Sequence, residues 1–196
     1  MRKVYTLVLP SARLFFGVKM QFKTKILDGI AIKRALIRIT HEIIEKNKGV
    51  EGVCIFGVKR RGVPLAKMLK DNVLAFEGVS VPLGEIDPTL YRDDISKEDK
   101  LKSANFNVFP CDITDKVVII VDDVLYTGRT ARASIEAVFA HGRPKAIQLA
   151  VLIDRGHREL PLKPDYVGKN VPTSGSEKIV LLLNETDGEE GVYICE

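Results

Sequence analysis

Residues 116–144 read KVVIIVDDVLYTGRTARASIEAVFAHGRP, and the order of residue types along them decides the fold. The unbroken aliphatic run from Val117 to Val121 has no polar face, which suits the central strand of a parallel sheet covered on both sides. Two carboxylates, Asp122 and Asp123, close the run. From Thr127 the sequence predicts a helix that ends at Gly142 and Pro144. Strand, loop and helix in that order form the repeating unit of an α/β sheet.

The same alternation extends to both sides. Residues 28–47, DGIAIKRALIRITHEIIEKN, predict a helix with Asp28 as its N-cap and Ile32, Leu36, Ile39, Ile43 and Ile44 along one face. Lys48 and Gly49 supply its stop. VCIFGV (53–58) reads as a buried strand, KRRG (59–62) as a loop, and VPLAKMLKDN (63–72) as a helix entered through Pro64. GVSVPLGEID (78–87) reads as another strand, and the polar stretch at about 86–107 as a flexible loop. AIQLAVLIDR (146–155) is a further buried strand, and DYVGKNVPT, KIVLLLNE and GVYICE are shorter and strand-like. The expected fold class is therefore α/β, with a central parallel sheet flanked by helices. In such sheets ligands bind at the carboxyl ends of strands. Three polar loops fall there: KRRG, DDVLYTGRT and DRGHREL.

Composition narrows the class of protein. The chain has 196 residues, 45% of them apolar and 29% charged, as in an ordinary globule rather than a disordered or fibrous chain. A net charge of +4 favours anionic partners only weakly. Cys54, Cys111 and Cys195 are widely spaced, so free thiols in a reducing cytoplasm fit better than a disulfide framework or a zinc site. No apolar run is long enough to span a membrane. Residues 1–20, interrupted by Pro10 and Arg13, read as a disordered extension or a misassigned start, with one domain over 21–196.

The chemistry concentrates in DDVLYTGRT. Where TGRT opens a helix, backbone N–H groups lack intrahelical partners. Gly128 lets a ligand approach the backbone, and Thr127 and Thr130 add hydroxyls. With the helix dipole this makes a phosphate cradle, although neither the P-loop nor the dinucleotide pattern is present. Asp122 and Asp123 would repel a phosphate unless they faced sugar hydroxyls or a divalent cation. A phosphorylated ribose satisfies both sides of the loop. The plain alternative is a strand end with Asp turns and a Thr cap.

VVIIVDDVLYTGRT resembles the phosphoribosyl-pyrophosphate signature of type I phosphoribosyltransferases. The segments ILDGIAIKRALIRITHEIIEKN, GVKRRG, LGEIDPTLYRDD, GRPKAIQLAVLIDRGHRELPLKPDYVGKNVPTS and SEKIV extend the likeness from about residue 26 to the end. They are similar to a family of pyrimidine-operon attenuation regulators that are also uracil phosphoribosyltransferases. The resemblance implies a phosphoribosyltransferase fold with a small hood built from both termini. It implies that Asp122 and Asp123 hold the ribose hydroxyls and that Val124, Leu125, Tyr126, Thr127, Gly128, Arg129 and Thr130 surround the 5′-phosphate. Arg60 and Arg61 would lie in the diphosphate loop, Arg92 would close over the diphosphate, and Arg155 and Ile179 would belong to the uracil pocket or hood. Arg92, Asp122 and Asp123 are thus the expected catalytic residues, with Mg²⁺ brought by the diphosphate and no dedicated protein metal site. Without the family, Arg92 would read as a surface residue paired with Asp93.

The resemblance also implies a second activity. Lys33, Arg34, Arg38 and His41 share a helix side, which alone is usually a solvated face. The family likeness makes Arg38, His41, His157, Arg158, Lys163 and Lys169 an RNA-binding set for a stem-loop of the pyr leader mRNA, with UMP or UTP as co-regulator. It further implies a homodimer or higher homo-oligomer. The chain departs from the family pattern at Ile37 and Arg60, at Lys163 where Arg is usual, and in a shortened 73–79 segment.

Overall fold

The central strand, β6 (Val117–Leu125), is buried along most of its length, as its aliphatic run requires. In the computed structural model, which describes residues 13–15, 18–96, 98 and 107–196, it lies at the middle of a five-stranded sheet. Its neighbours are β4 (Val53–Val58) and β7 (Ala146–Asp154); β5 (Leu83–Ile86) and β8 (Tyr166–Asn170) form the edges. The order is β5-β4-β6-β7-β8 and every pairing is parallel.

Both faces of this sheet are covered. Cys54, Phe56, Val58, Val118 and Ile120 form one core with Ala131, Ala137 and Val138 of α3 (Arg129–His141). The alternate residues, among them Val53, Ile55, Ile119 and Val121, are just as buried. By strand alternation they face the other side, where α2 (Gly62–Glu77) packs on β4 and β6. α2 runs five residues past its predicted end. Val73 continues the buried series of Leu65 and Leu69, and Gly78, in the left-handed region at φ 69°, caps the helix by donating to the Leu74 carbonyl.

The long helix α1 (Gly29–Asn47) is the one predicted, and Asp28 caps it by accepting from the Ala31 N–H at 2.7 Å. Such a cap stabilises a helix by about 1 kcal/mol. Asn47 at its end shares an amide and hydroxyl network with Gln148 and Tyr166.

By contact density the chain forms two units, Lys33–Pro172 and Met1–Ile32 with Thr173–Glu196. The first holds the parallel sheet. In the second, β3 (Phe22–Asp28), β10 (Gly191–Cys195) and β9 (Lys178–Leu182) form an antiparallel sheet in that order. Chain termini thus combine in one small sheet, as the expected hood requires. β3 is absent from the sequence reading, because Lys23 and Lys25 break up its apolar residues. Short strands β1 (Arg13–Phe15) and β2 (Val18–Met20) pair antiparallel within the predicted extension. Residues 1–12, 16 and 17 of that extension lie outside the described residues, as do 97 and 99–106 of the predicted flexible loop. No described helix is long and apolar enough to cross a membrane.

Candidate active site

Strand order explains where a ligand can sit. The chain runs from β4 outward to β5, then returns to the other side of β4 as β6. Connections therefore diverge between β4 and β6, and their carboxyl ends open a crevice there. The loops that leave those two ends are 59–61 and 126–128. They are held close by Gly62: a Cβ on it would fall 2.2 Å from the Val121 carbonyl oxygen. The backbone at 59–61 includes a cis peptide between Lys59 and Arg60. Arg60 is exposed and Arg61 partly buried, and the charge of Arg61 acts on Asp123.

Asp122 and Asp123 lie in the carboxyl-terminal part of β6, which stays paired with β7 as far as Leu125. Each accepts from the next residue's N–H, Asp122 from Asp123 and Asp123 from Val124, both at 2.9 Å. Although each keeps some surface exposure, protein surrounds both carboxyls, and desolvation raises both above the usual carboxylate range. Asp122 is raised furthest, with the neighbouring Asp123 charge adding to the effect and Arg92 opposing it. Two acids made costly to ionise are poised for a cation or for hydroxyl donors.

Beyond them the loop enters α3 through Gly128, whose φ of 94° favours glycine. No side chain caps this helix, and the N–H of Arg129 reaches only a long 3.4 Å contact with the Thr127 hydroxyl. A cavity of about 290 Å³ opens here. Asp122 and Val124 to Ala131 line it, together with Arg92, Asp94 and Glu159. Acids, a bare helix N-terminus and the guanidinium groups of Arg92 and Arg129 thus line one space.

Arg92 enters from the segment after β5 and its short turn at Thr89–Tyr91. Its fork grips Asp94, with Nε donating to Oδ1 at 2.8 Å, while Nη1 donates to the Thr130 hydroxyl at 3.0 Å. Its carboxylate partner is Asp94 rather than Asp93. Asp93 instead pairs with Arg129, whose guanidinium also binds Glu159 at 2.8 Å. Glu159 and Asp94 were not singled out in the sequence, although DRGHREL and YRDD contain them. Acidic residues on polar loops carry no mark of which cation they meet.

Arg155 is buried, lies with its Cζ 3.9 Å above the Tyr126 ring, and donates its N–H to the Leu125 carbonyl at 3.0 Å. Ile179 lies on β9 in the other unit, paired in register with Ile194 and partly buried. Among the described residues no cluster of three metal-ligating side chains occurs.

The predicted RNA-binding residues divide into two groups. His41, His157, Lys163 and Lys169 are exposed. The guanidinium of Arg38 is directed at protein, donating to the carbonyls of Val167 and Gly168 at 2.8 and 2.7 Å and pairing with Glu42. Arg158 likewise donates to the Tyr126 carbonyl at 2.8 Å and pairs with Asp154 at 2.7 Å, so it braces the back of the loop that enters α3. Phe76, near the end of α2, was missed. Its half-exposed ring stacks on His41 with centroids 4.4 Å apart. Its place at the end of an apolar helical series concealed it.

Comparison with known proteins follows the same direction. A family model described as "Phosphoribosyl transferase domain" matches residues 23–181. The chain is 54% identical over 177 residues to the "Bifunctional protein PyrR" of Clostridium novyi, covering 90% of this chain and 99% of that one. It is 56% identical over 174 residues to the protein of the same name from Acetivibrio thermocellus, covering 89% and 95%. Among solved structures, a hypoxanthine-guanine phosphoribosyltransferase of Bacillus anthracis superposes with a TM-score of 0.67 at 20% identity, covering 91% of this chain and all of that one. The hypoxanthine phosphoribosyltransferase of Trypanosoma cruzi gives a TM-score of 0.66 at 18% identity, covering 88% and 96%. These structural likenesses concern the fold.

Proposed function

The chain belongs to the phosphoribosyltransferase family, among its bifunctional PyrR proteins, and we propose two activities for it. One is transfer of phosphoribose from 5-phosphoribosyl 1-diphosphate to uracil, giving UMP and diphosphate. The other is uridine-nucleotide-dependent binding of pyr leader mRNA, which controls transcription by attenuation.

The cavity beside α3 carries the first. Its phosphate end is the helix N-terminus at 127–130, and its acidic end is Asp122, with Asp123 next to it in the chain. A 5′-phosphate at the first and the ribose 2′- and 3′-hydroxyls at the second orient the sugar so that its anomeric carbon faces the crevice between β4 and β6. The hydroxyls then add donors to the single backbone N–H that each acid already accepts. Breaking the bond to diphosphate places positive charge on the sugar and negative charge on the leaving group. Arg61 and the backbone of 59–62 oppose that negative charge from one side and Arg92 from the other, without reorganising during the reaction. The Arg92 fork is bound to Asp94, so substrate phosphate must take that carboxylate's place. Uracil is the attacking group, and the protein's task is to position it and exclude water. Arg155, which lies over the Tyr126 ring, would orient the base.

The acids also fit Mg²⁺, which commonly binds through one or two carboxylates together with substrate phosphates. When bound, the ion supplies charge neutralisation on the diphosphate. Asp122 and Asp123 are the residues that would hold it.

Incubating the protein with uracil and phosphoribosyl diphosphate should release diphosphate and form UMP, and Asp123→Asn should abolish this. Unchanged turnover by Asp123→Asn would remove the diol assignment. For the second activity, filter binding of a leader stem-loop should tighten with UMP. A purely enzymatic reading is favoured by one observation, the commitment of Arg38 and Arg158 to protein carbonyls. RNA binding unaffected by UMP and lost at modest salt would support that reading. The resemblance further favours a cytoplasmic homodimer or higher homo-oligomer.

A further inference from the structure

Away from the site, two thiols of one unit are in contact. Cys54, on β4, is fully buried, and its Sγ lies 3.5 Å from that of Cys111. Cys111 is partly exposed and belongs to the irregular segment that leads from the polar stretch into β6. Both are free, and Cys195 is buried on β10 in the other unit.

We propose that Cys54 and Cys111 form a redox modification site that a hydroperoxide converts to an intramolecular disulfide. Reactivity of a thiol follows its thiolate fraction and its access. Burial pushes Cys54 up to about 12, while the nearby Lys116 ammonium acts in the opposite sense. The partly exposed Cys111 is therefore the sulfur that meets the oxidant. Its thiolate attacks one peroxide oxygen, the O–O bond breaks, and alcohol leaves, or water if the oxidant is hydrogen peroxide. Cys111 is then a sulfenic acid. The Cys54 sulfur attacks the Cys111 sulfur, the S–O bond breaks, and hydroxide departs with the Cys54 proton as water. Two thiols and one hydroperoxide thus give one disulfide, one alcohol and one water.

Geometry selects this pair. A disulfide brings its sulfurs to about 2.05 Å, so the present contact must close further. Cys54 is fixed in a strand bonded on both sides, to β5 and β6. Movement therefore falls to Cys111, which lies in no regular element. The bond would anchor the end of the polar stretch to β4. That end is already bonded to β5, through mutual Glu85–Val108 backbone bonds at 3.0 and 2.9 Å and an Asn107 side chain that accepts from the Asp87 N–H. The stretch it ends is the one that carries Arg92.

The test uses the reduced full-length protein, stoichiometric hydrogen peroxide, alkylation of remaining thiols and peptide mass mapping. Alkylatable thiols should fall from three to one, two of the three cysteines being consumed, with a linked Cys54–Cys111 peptide that dithiothreitol separates. Cys54→Ser, lacking the second sulfur, should accumulate Cys111 sulfenic acid that dimedone traps. In Cys111→Ser, changed at a partly exposed loop position, Cys54 should stay reduced. Sulfinic Cys111 without a linked peptide in the parent protein, links between chains, or oxidation of Cys54 in Cys111→Ser would each overturn the proposal.

Discussion

Replacing Arg158 with alanine removes a guanidinium that donates to four carbonyls, those of Leu125 at 3.3 Å, Tyr126 at 2.8 Å, Gly156 at 3.2 Å and Leu162 at 3.2 Å. It also deprives Asp154 of an ion pair at 2.7 Å, between side chains 20% and 18% exposed. Only the Tyr126 and Asp154 contacts are short; the others lie at the long end of N–H···O distances. A hydrogen bond involving a charged group contributes about 1.5–3 kcal/mol net. Partial exposure argues for the lower end, so two such contacts give about 3 kcal/mol. For a chain of this size each kcal/mol moves the melting temperature by about 2–4 °C, and Arg158→Ala should melt about 6–12 °C lower.

The same change should raise KM for phosphoribosyl diphosphate, because the carbonyls of Leu125 and Tyr126 flank the loop proposed to hold the 5′-phosphate. Arg158→Lys separates charge from geometry, since a lysine keeps the charge but cannot reproduce the fork. It should melt low and bind substrate weakly while retaining part of any RNA affinity. Thermal melts by circular dichroism, substrate kinetics and filter binding make the comparison. A melt within about 1 °C of the parent, an unchanged KM and a selective loss of RNA affinity would refute the bracing role.

Asp122→Asn should abolish activity yet stabilise the ligand-free protein. Burial raises the folded-state titration of Asp122, so its stability contribution is fully present below the unfolded value, about 3.9, and is lost as pH rises through the raised folded value. Melts across pH should show the Asn variant ahead near neutrality and level with the parent at acid pH; no gap at neutrality would remove the desolvation argument. Gly62→Ala places a Cβ against backbone at Val121 that cannot yield. It should lower stability by about 1–3 kcal/mol and weaken substrate binding, measured by denaturant unfolding and isothermal titration. Phe76→Ala removes an exposed ring stacked on His41, so turnover and stability should hold within about 0.5 kcal/mol. Leader RNA should bind the variant more weakly, because unpaired bases stack on exposed aromatic rings; equal affinity would count against that role.

Much of the site was legible because its chemistry is local. Asp122, Asp123, Gly128 and Thr130 stand within nine positions, and a strand that ends in acids before a glycine-led helix keeps its meaning in any surroundings. The sheet elements were legible for a similar reason, since a strand covered on both faces must be aliphatic throughout. The illegible part concerned partners. Without the family resemblance Arg92 read as a partner of Asp93 but it binds Asp94, because a side-chain fork follows geometry rather than adjacency. Arg38 and Arg158 read as open cations, although in the fold they answer backbone carbonyls at Val167, Gly168 and Tyr126.

The sequence by itself determined the parallel α/β class, the Asp28 cap of α1 and the glycine-led entry to α3, because periodicity and turn chemistry act over a few residues. Tertiary structure decided what depends on strand order. It set β4 beside β6, so that 59–62 and 122–130 face one crevice. It joined β3 to β10 across nearly the whole chain and brought Cys54 against Cys111. Contacts between residues so far apart are fixed by which strands pair, and no local pattern encodes that choice.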